Sequence, residues 1–170
     1  MKYAIVFSSR SGNTKMLADA IREELPQDKC VYFGAPDESA LKVSRLYIGF
    51  WTDKGICDAE AKCFLERLQN KEVFLFGTAG FGASKAYYKE ILHKTAGVMN
   101  DSNHTFGAYM CQGRMPVFVK DRYEQLMRNP NHGSDVEQMM DRFTKSLTHP
   151  DENDLRGVRR AVRKVTKLTK

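Results

Sequence analysis

No apolar run in this chain approaches the roughly 20 residues that a membrane-spanning helix requires. The apolar stretch nearest the start, Tyr3 to Phe7, is ended by Ser8, Ser9 and Arg10. It is also too short for the apolar region of a secretory signal, so a cytoplasmic protein without a transmembrane segment is expected. Cysteine is scarce: Cys30, Cys57, Cys63 and Cys111, none in C-x-x-C spacing. That excludes a disulfide framework and a zinc motif, and free thiols suit a reducing compartment. The histidines His93, His104, His132 and His149 are scattered, with no H-x-x-x-H pair, and G-x-S-x-G is absent. No metal site and no catalytic acid–base set is therefore expected. Internal repeats and low-complexity segments are missing too.

Acidic residues are missing from one place in particular. The 170 residues hold 27 Lys and Arg against 21 Asp and Glu, a net charge of +6. Seven of the basic residues lie in 156–170, which has no acidic residue, leaving 20 basic and 21 acidic, a net −1, in 1–155. The excess charge thus concerns the last fifteen residues and not the body. There Leu155, Val158, Val162 and Val165 make one helical stripe. Arg156, Arg159, Arg160, Arg163, Lys164 and Lys167 cover the rest of that helix, and Asn153 or Asp154 is placed to cap its start. The stripe is expected to dock on the body or on a second chain. Alternatively, the segment from Arg156 to Lys170 docks an acidic partner or an anionic membrane surface. No aromatics interleave with these cations, so nucleic acid is not an expected partner. The domain boundaries read as 1–149 for the body and 150–170 for a basic amphipathic C-terminal extension.

Along the body, short apolar runs alternate with amphipathic stretches. Residues 2–7, 30–33, 45–50, 71–76 and 105–110 have the pattern of parallel strands buried on both faces. Residues 15–25, 59–68, 85–95, 118–127 and a stretch from Ser134 to Leu147 have helical periodicity. Asp58 and Ser84 are placed as N-caps, and Ser134 with Glu137 spells a capping box. Residues 51–58 (WTDKGICD) read as a turn. Strands alternating with helices from a β start imply an α/β fold with a parallel sheet. In such sheets ligands bind beyond the C-terminal strand ends, where the strand order switches.

The first such loop is Ser9-Arg10-Ser11-Gly12-Asn13-Thr14, between a strand and a helix. Hydroxyl residues and one Gly let successive backbone N–H groups face an anion, and the helix N-terminus adds partial positive charge. It is neither a Walker A motif nor G-x-G-x-x-G. The pattern [S/T]-x-[S/T]-G-N-T in this place resembles the phosphate-binding signature of the flavodoxin family, matched by Ser9, Ser11, Gly12, Asn13 and Thr14. The resemblance spans about residues 1–148. It implies a flavodoxin-like three-layer sandwich, a five-stranded parallel sheet of order 2-1-3-4-5 and non-covalent FMN. Arg10 would point outward, and Lys15 would add charge.

The resemblance also assigns the other loops. Phe50, Trp51, Thr52, Asp53, Lys54 and Gly55 match the loop that holds one face of the isoalloxazine. Trp51, the only Trp, is the expected stacking residue and Phe50 its competitor. Lys54 or Gly55 would present a backbone amide near N5. Thr78, Ala79, Gly80, Phe81 and Gly82 match the second flavin-contacting loop, with Phe81 where the family often has Tyr. This loop lacks acidic residues, so redox potentials unlike the low values typical of the family are expected. Gln112 and the backbone near Gly113 would read the pyrimidine edge, and Arg114 would stabilise negative charge on a reduced flavin. Cys111 belongs to the same loop but reads as packing.

The wording FWTDKG, FGTAGFG and CQGRMP resembles a subgroup, the small flavodoxins found beside bacterial bilirubin reductase. That implies an electron-transfer protein serving redox partner proteins, one of them an oxidoreductase acting on a tetrapyrrole. Two alternatives stay open. One is a flavoenzyme of the same fold, such as a menaquinone-linked protoporphyrinogen oxidase or a quinone reductase. The other is a non-enzymatic adaptor with a basic docking tail. Oligomeric state is not legible.

Overall fold

The computed structural model describes residues 1–82 and 84–166; residues 167–170, the end of the basic segment from Arg156 to Lys170 and including Lys167 and Lys170, lie outside the described residues. The five apolar runs form strands β1 (Tyr3–Phe7), β2 (Cys30–Gly34), β3 (Arg45–Asp53), β5 (Glu72–Ala79) and β6 (His104–Gln112). They pair in parallel in the order β2-β1-β3-β5-β6, which among these five is the expected 2-1-3-4-5. Register is held at the N-terminal edge, where Arg45 pairs Glu72 across strands and bonds its carboxylate at 2.9 Å.

Strand β3 runs three residues beyond the expected end at Phe50. Lys54 (φ 50°) and Gly55 (φ 82°) then turn the chain back into a short antiparallel strand β4 (Ile56–Cys57), pairing Thr52 with Cys57 and Asp53 with Ile56. Two consecutive positive φ angles in a two-residue loop are what a tight hairpin needs. Residues 51–58 are therefore a hairpin, which holds Trp51 and Thr52 on a strand end.

Helices α1 (Asn13–Glu24), α2 (Ala59–Glu66), α3 (Lys85–Ala96), α4 (Val117–Met127), α5 (Ser134–Ser146) and α6 (Glu152–Thr166) complete the chain. Because successive strand residues face opposite sides, the sheet has two cores. Leu46, Ile48, Phe50, Val73 and Leu75 meet Phe64 and Leu65 of α2 and Ile91 of α3. Ile5, Tyr47, Phe74 and Phe76 meet Leu17 and Ile21 of α1 and Val158 and Val162 of α6. Helices α4 and α5 form a hairpin with a small core of its own, Met115, Tyr123 and Phe143.

Two cap expectations are corrected. Gly133 is the N-cap of α5 and no side chain caps it, so Ser134 and Glu137 form no capping box. At α6 the cap is Asp151, whose Oδ1 accepts from the Asp154 N–H at 2.9 Å while Asp154 Oδ2 accepts from the Asp151 N–H at 2.8 Å. Beyond residue 149, α6 docks its apolar stripe on the body, with Val158 and Val162 both 0% exposed in the second core. Part of the basic charge is used internally: Arg159 pairs Glu23 at 2.7 Å and Arg163 pairs Glu24 at 2.5 Å, fastening α6 to α1. No helix among the described residues is long and apolar enough to cross a membrane.

All four cysteines are free; Cys57 and Cys111 are buried and Cys63 is exposed. Burial pushes the Cys57 thiol up to about 11 and raises that of Cys111 as well. Both hold their protons more tightly folded than unfolded. Their contribution to stability is fully present below the ordinary thiol value of 9.0 and is lost as pH climbs through the folded values. Iodoacetamide at neutral pH is expected to modify Cys63 first and to reach Cys57 and Cys111 only on unfolding. The melting temperature should fall above about pH 9. Peptide mapping and a pH series of thermal melts check both.

Candidate cofactor site

The strand ends of β1, β3, β5 and β6 open on one crevice, because Trp51 of β3, Thr78 of β5 and Cys111 of β6 stand side by side. The loop from Ser9 to Thr14 enters it from the other side. Gly12, at φ 88°, is the N-cap of α1, and no side chain caps that helix at Gly12. Ser9 Oγ accepts from the Lys15 N–H at 3.1 Å. Among the described residues no acceptor takes the N–H groups of Ser11, Gly12 and Asn13. A helix N-terminus with several free donors and exposed hydroxyls is suited to a phosphate.

Ser11 is exposed and lines the crevice, as does Asn13, whose Nδ2 donates to the Arg114 carbonyl at 2.9 Å. Thr14 departs from expectation. It is 1% exposed, and its hydroxyl donates to the Phe50 carbonyl and meets the Thr78 hydroxyl, both at 3.2 Å. It ties α1 to β3 and β5 instead of facing the anion loop. Gly113 is needed for close approach, since a Cβ there would lie 2.8 Å from Asn13 Nδ2 and 3.1 Å from Thr78 Cβ.

Beyond this loop lies a cavity of about 420 Å³, within the size range of cofactor sites. Trp51 and Thr52 form one wall, Gly80 and Phe81 another, and Met115 with Tyr123 of the α4–α5 hairpin a third. The Arg10 guanidinium stands 5.9 Å from the Trp51 ring centre. Phe50 is not available as the stacking ring: it is 0% exposed and packs in the core on the opposite side of the sheet. Cys111 is likewise buried in a core and does not reach the cavity. Gln112 is 7% exposed and donates to the Gly80 carbonyl at 3.2 Å, fixing the loop after β5. Arg114 reaches back to the Leu147 carbonyl at 2.8 Å and also lines the cavity.

Lys54 and Gly55, with Ala79, line a smaller space of about 340 Å³ that shares Thr52, Gly80 and Phe81 with the main cavity. Asp53 is exposed at the hairpin, and Gly82 follows Phe81 in the chain, its carbonyl accepting from the Tyr88 hydroxyl at 2.7 Å.

Two contributions escaped the sequence reading. The wall from Met115, Val119 and Tyr123 depends on how the α4–α5 hairpin folds back, and only the i, i+4 spacing of Val119 and Tyr123 signalled it. The other is Asp58, expected only as a cap. It accepts from the Glu60 and Ala61 N–H groups at 3.1 Å, and its second oxygen accepts from the Trp51 N–H at 3.2 Å. This 2%-exposed carboxylate therefore anchors the strand end that carries Trp51. Asp58→Ala is expected to cost about 2–3 kcal/mol by orphaning buried donors. Urea titration followed through fluorescence of the single Trp would show a lower midpoint and a red-shifted native spectrum.

A family profile described as a flavodoxin domain matches residues 4–163. A flavodoxin-like domain-containing protein BilS of Clostridium symbiosum is 40% identical over 173 residues, covering 91% of this chain and 90% of that one. A protein of the same name from Clostridioides difficile is 30% identical over 162 residues, again covering 91% and 90%. The solved structure of a flavodoxin from the domain Archaea superposes with a TM-score of 0.51 at 16% identity, covering 98% of this chain and 97% of that one.

Proposed function

The chain belongs to the flavodoxin domain family, whose members are FMN-type electron-transfer proteins, and from that premise we propose that it delivers electrons from FMN to a partner oxidoreductase. The observation that carries this reading is the pairing of free N–H donors at the start of α1 with a cavity walled by Trp51. There the backbone of Ser11, Gly12 and Asn13 and the exposed Ser11 hydroxyl would hold the phosphate, and the α1 N-terminus would add its dipole. Trp51 and Phe81, which line the cavity, would be the aromatic contacts of the ring, and Lys54 and Gly55, which line the adjoining space, would border it. FMN supplies the electron transfer itself when bound; the protein orients it and screens it from water. Arg114, which lines the cavity, would bring a positive charge to the pyrimidine side, and Gln112, through its bond to the Gly80 carbonyl, and Gly113 would shape that side from behind.

The partner is an oxidoreductase acting on a tetrapyrrole. This rests on the loop wording shared with the bilirubin-reductase-associated subgroup. The relatives named BilS support it by overall similarity. The outward cations of α6, Arg156, Arg160 and Lys164, are the face that meets an acidic surface on that partner; neither Arg160 nor Lys164 has an ion-pair partner among the described residues.

The test is spectroscopic first. Purified protein given FMN is expected to turn yellow, quench flavin fluorescence and melt at a higher temperature. A colourless protein that FMN does not stabilise sinks the reading. Electron delivery to the tetrapyrrole reductase is then measured with Arg156, Arg160 and Lys164 replaced by Gln. A slower, less salt-sensitive reaction is expected. Tetrapyrrole reduction by the isolated protein would favour a flavoenzyme over a carrier.

A further inference from the structure

A second cleft, of about 410 Å³, lies between α5 and the loop after β5. Its walls differ in kind. The rings of Phe81 and Tyr87 line it from the loop and α3, and Arg142 and Lys145 line it from α5. These two cations are three residues apart, so they share one helix face. Among the described residues none lining the cleft is acidic.

The state of the two charges is unequal. Lys145 pairs with Asp141 on its own helix at 2.7 Å. Arg142 has no carboxylate partner among the described residues; its guanidinium carbon sits 5.0 Å from the centre of the Phe81 ring. Phe81 is itself 44% exposed, a large apolar surface left open beside an unpaired cation. Such a pair can take a ligand with a flat apolar body and an anionic end, the body on the rings and the anion on the guanidinium fork.

We propose that this cleft is a binding site for a planar aromatic carboxylate, with Arg142 as its carboxylate anchor and Phe81 and Tyr87 as its apolar walls. Lys145 adds a weaker positive field, because Asp141 already engages it. A bare inorganic anion would leave the two rings unused, and a neutral aromatic would leave Arg142 unused. Phe81 lines both this cleft and the main cavity, so a ligand held here lies next to the cofactor site. Its anchor, Arg142, lies outside the main cavity, so the proposal does not depend on FMN being the cofactor.

The test is calorimetric titration of 2-naphthoate into the full chain, with FMN added and again without it. Neutral 2-naphthamide and inorganic phosphate are the comparison ligands, and flavin binding is read separately from fluorescence quenching. Loss of the flavin reading and loss of this one are therefore separate results. Naphthoate is expected to bind in preference to both comparison ligands. Arg142→Gln should weaken it roughly tenfold, the scale of one charge-assisted hydrogen bond. Arg142→Lys keeps the charge but not the planar fork and should recover only part of the affinity. Arg142 is exposed on its helix, so neither change threatens the fold. Equal naphthoate affinity in wild type and Arg142→Gln overturns the proposal. So does naphthamide binding as tightly as naphthoate, or no naphthoate binding with the cleft intact.

Discussion

Ser11→Asp is expected to leave the protein folded and strip it of FMN. Ser11 is exposed in the loop ahead of α1, so its side chain supports no core. A carboxylate there would face the phosphate that the free N–H groups are arranged to receive. Two unit charges about 4 Å apart repel by ~4 kcal/mol at an effective dielectric near 20. Solvent screening at this exposed loop reduces that to about 2–3 kcal/mol. Affinity should then fall on the order of 30- to 200-fold. Ser11→Ala removes only one hydroxyl and should cost about tenfold or less. Titration of flavin fluorescence measures both, and urea midpoints confirm that the fold is unchanged. FMN binding equally well to Ser11→Asp would mean that the phosphate lies elsewhere.

The second large effect is on folding. Ending the chain at Pro150 is expected to abolish cooperative unfolding. That truncation removes Val158 and Val162, both fully buried against Tyr47 and Phe74. Burying each valine is worth about 1.5–3 kcal/mol. The truncation also uncovers the rings beneath them and breaks the Arg159–Glu23 and Arg163–Glu24 pairs. Set against a whole-domain stability of about 5–15 kcal/mol, that loss is decisive. Val162→Ala, which deletes only part of the contact, should lower stability by roughly 2 kcal/mol and keep the transition cooperative. A truncated chain with an unshifted urea midpoint would show α6 to be dispensable. One consequence is practical: deleting 150–170 does not isolate docking from folding, whereas replacing Arg156, Arg160 and Lys164 does.

The five parallel strands were legible because a strand buried on both faces must be a continuous apolar run, and 71–76 and 45–50 could be little else. The hairpin at 51–58 has the sequence of a turn because its second strand is only Ile56 and Cys57, too short for a period to register. The α5 cap misled because Ser134 with Glu137 has the right letters, while Gly133 supplies the backbone conformation that starts the helix. At the candidate site, the strand-to-helix loop from Ser9 to Asn13 and its open helix start were legible from local chemistry alone. Thr14 and Phe50 were not, because which face of the sheet a residue serves depends on where the strand ends and what packs above it.

By itself the sequence determined the order of the five parallel strands and their helices, the open loop ahead of the first helix and the family, since these follow from local periodicity and short-range motif chemistry. It also determined that the excess positive charge sits on one amphipathic segment. Only the tertiary structure decided what that segment is. Its apolar stripe is buried against β-strand rings and two of its arginines are spent on α1, so the helix is a wall of the core. Only the tertiary structure set Trp51 in the cavity and Phe50 in the core, and Arg142 over Phe81. Contacts between residues far apart in the chain depend on how layers pack, and no local pattern encodes that.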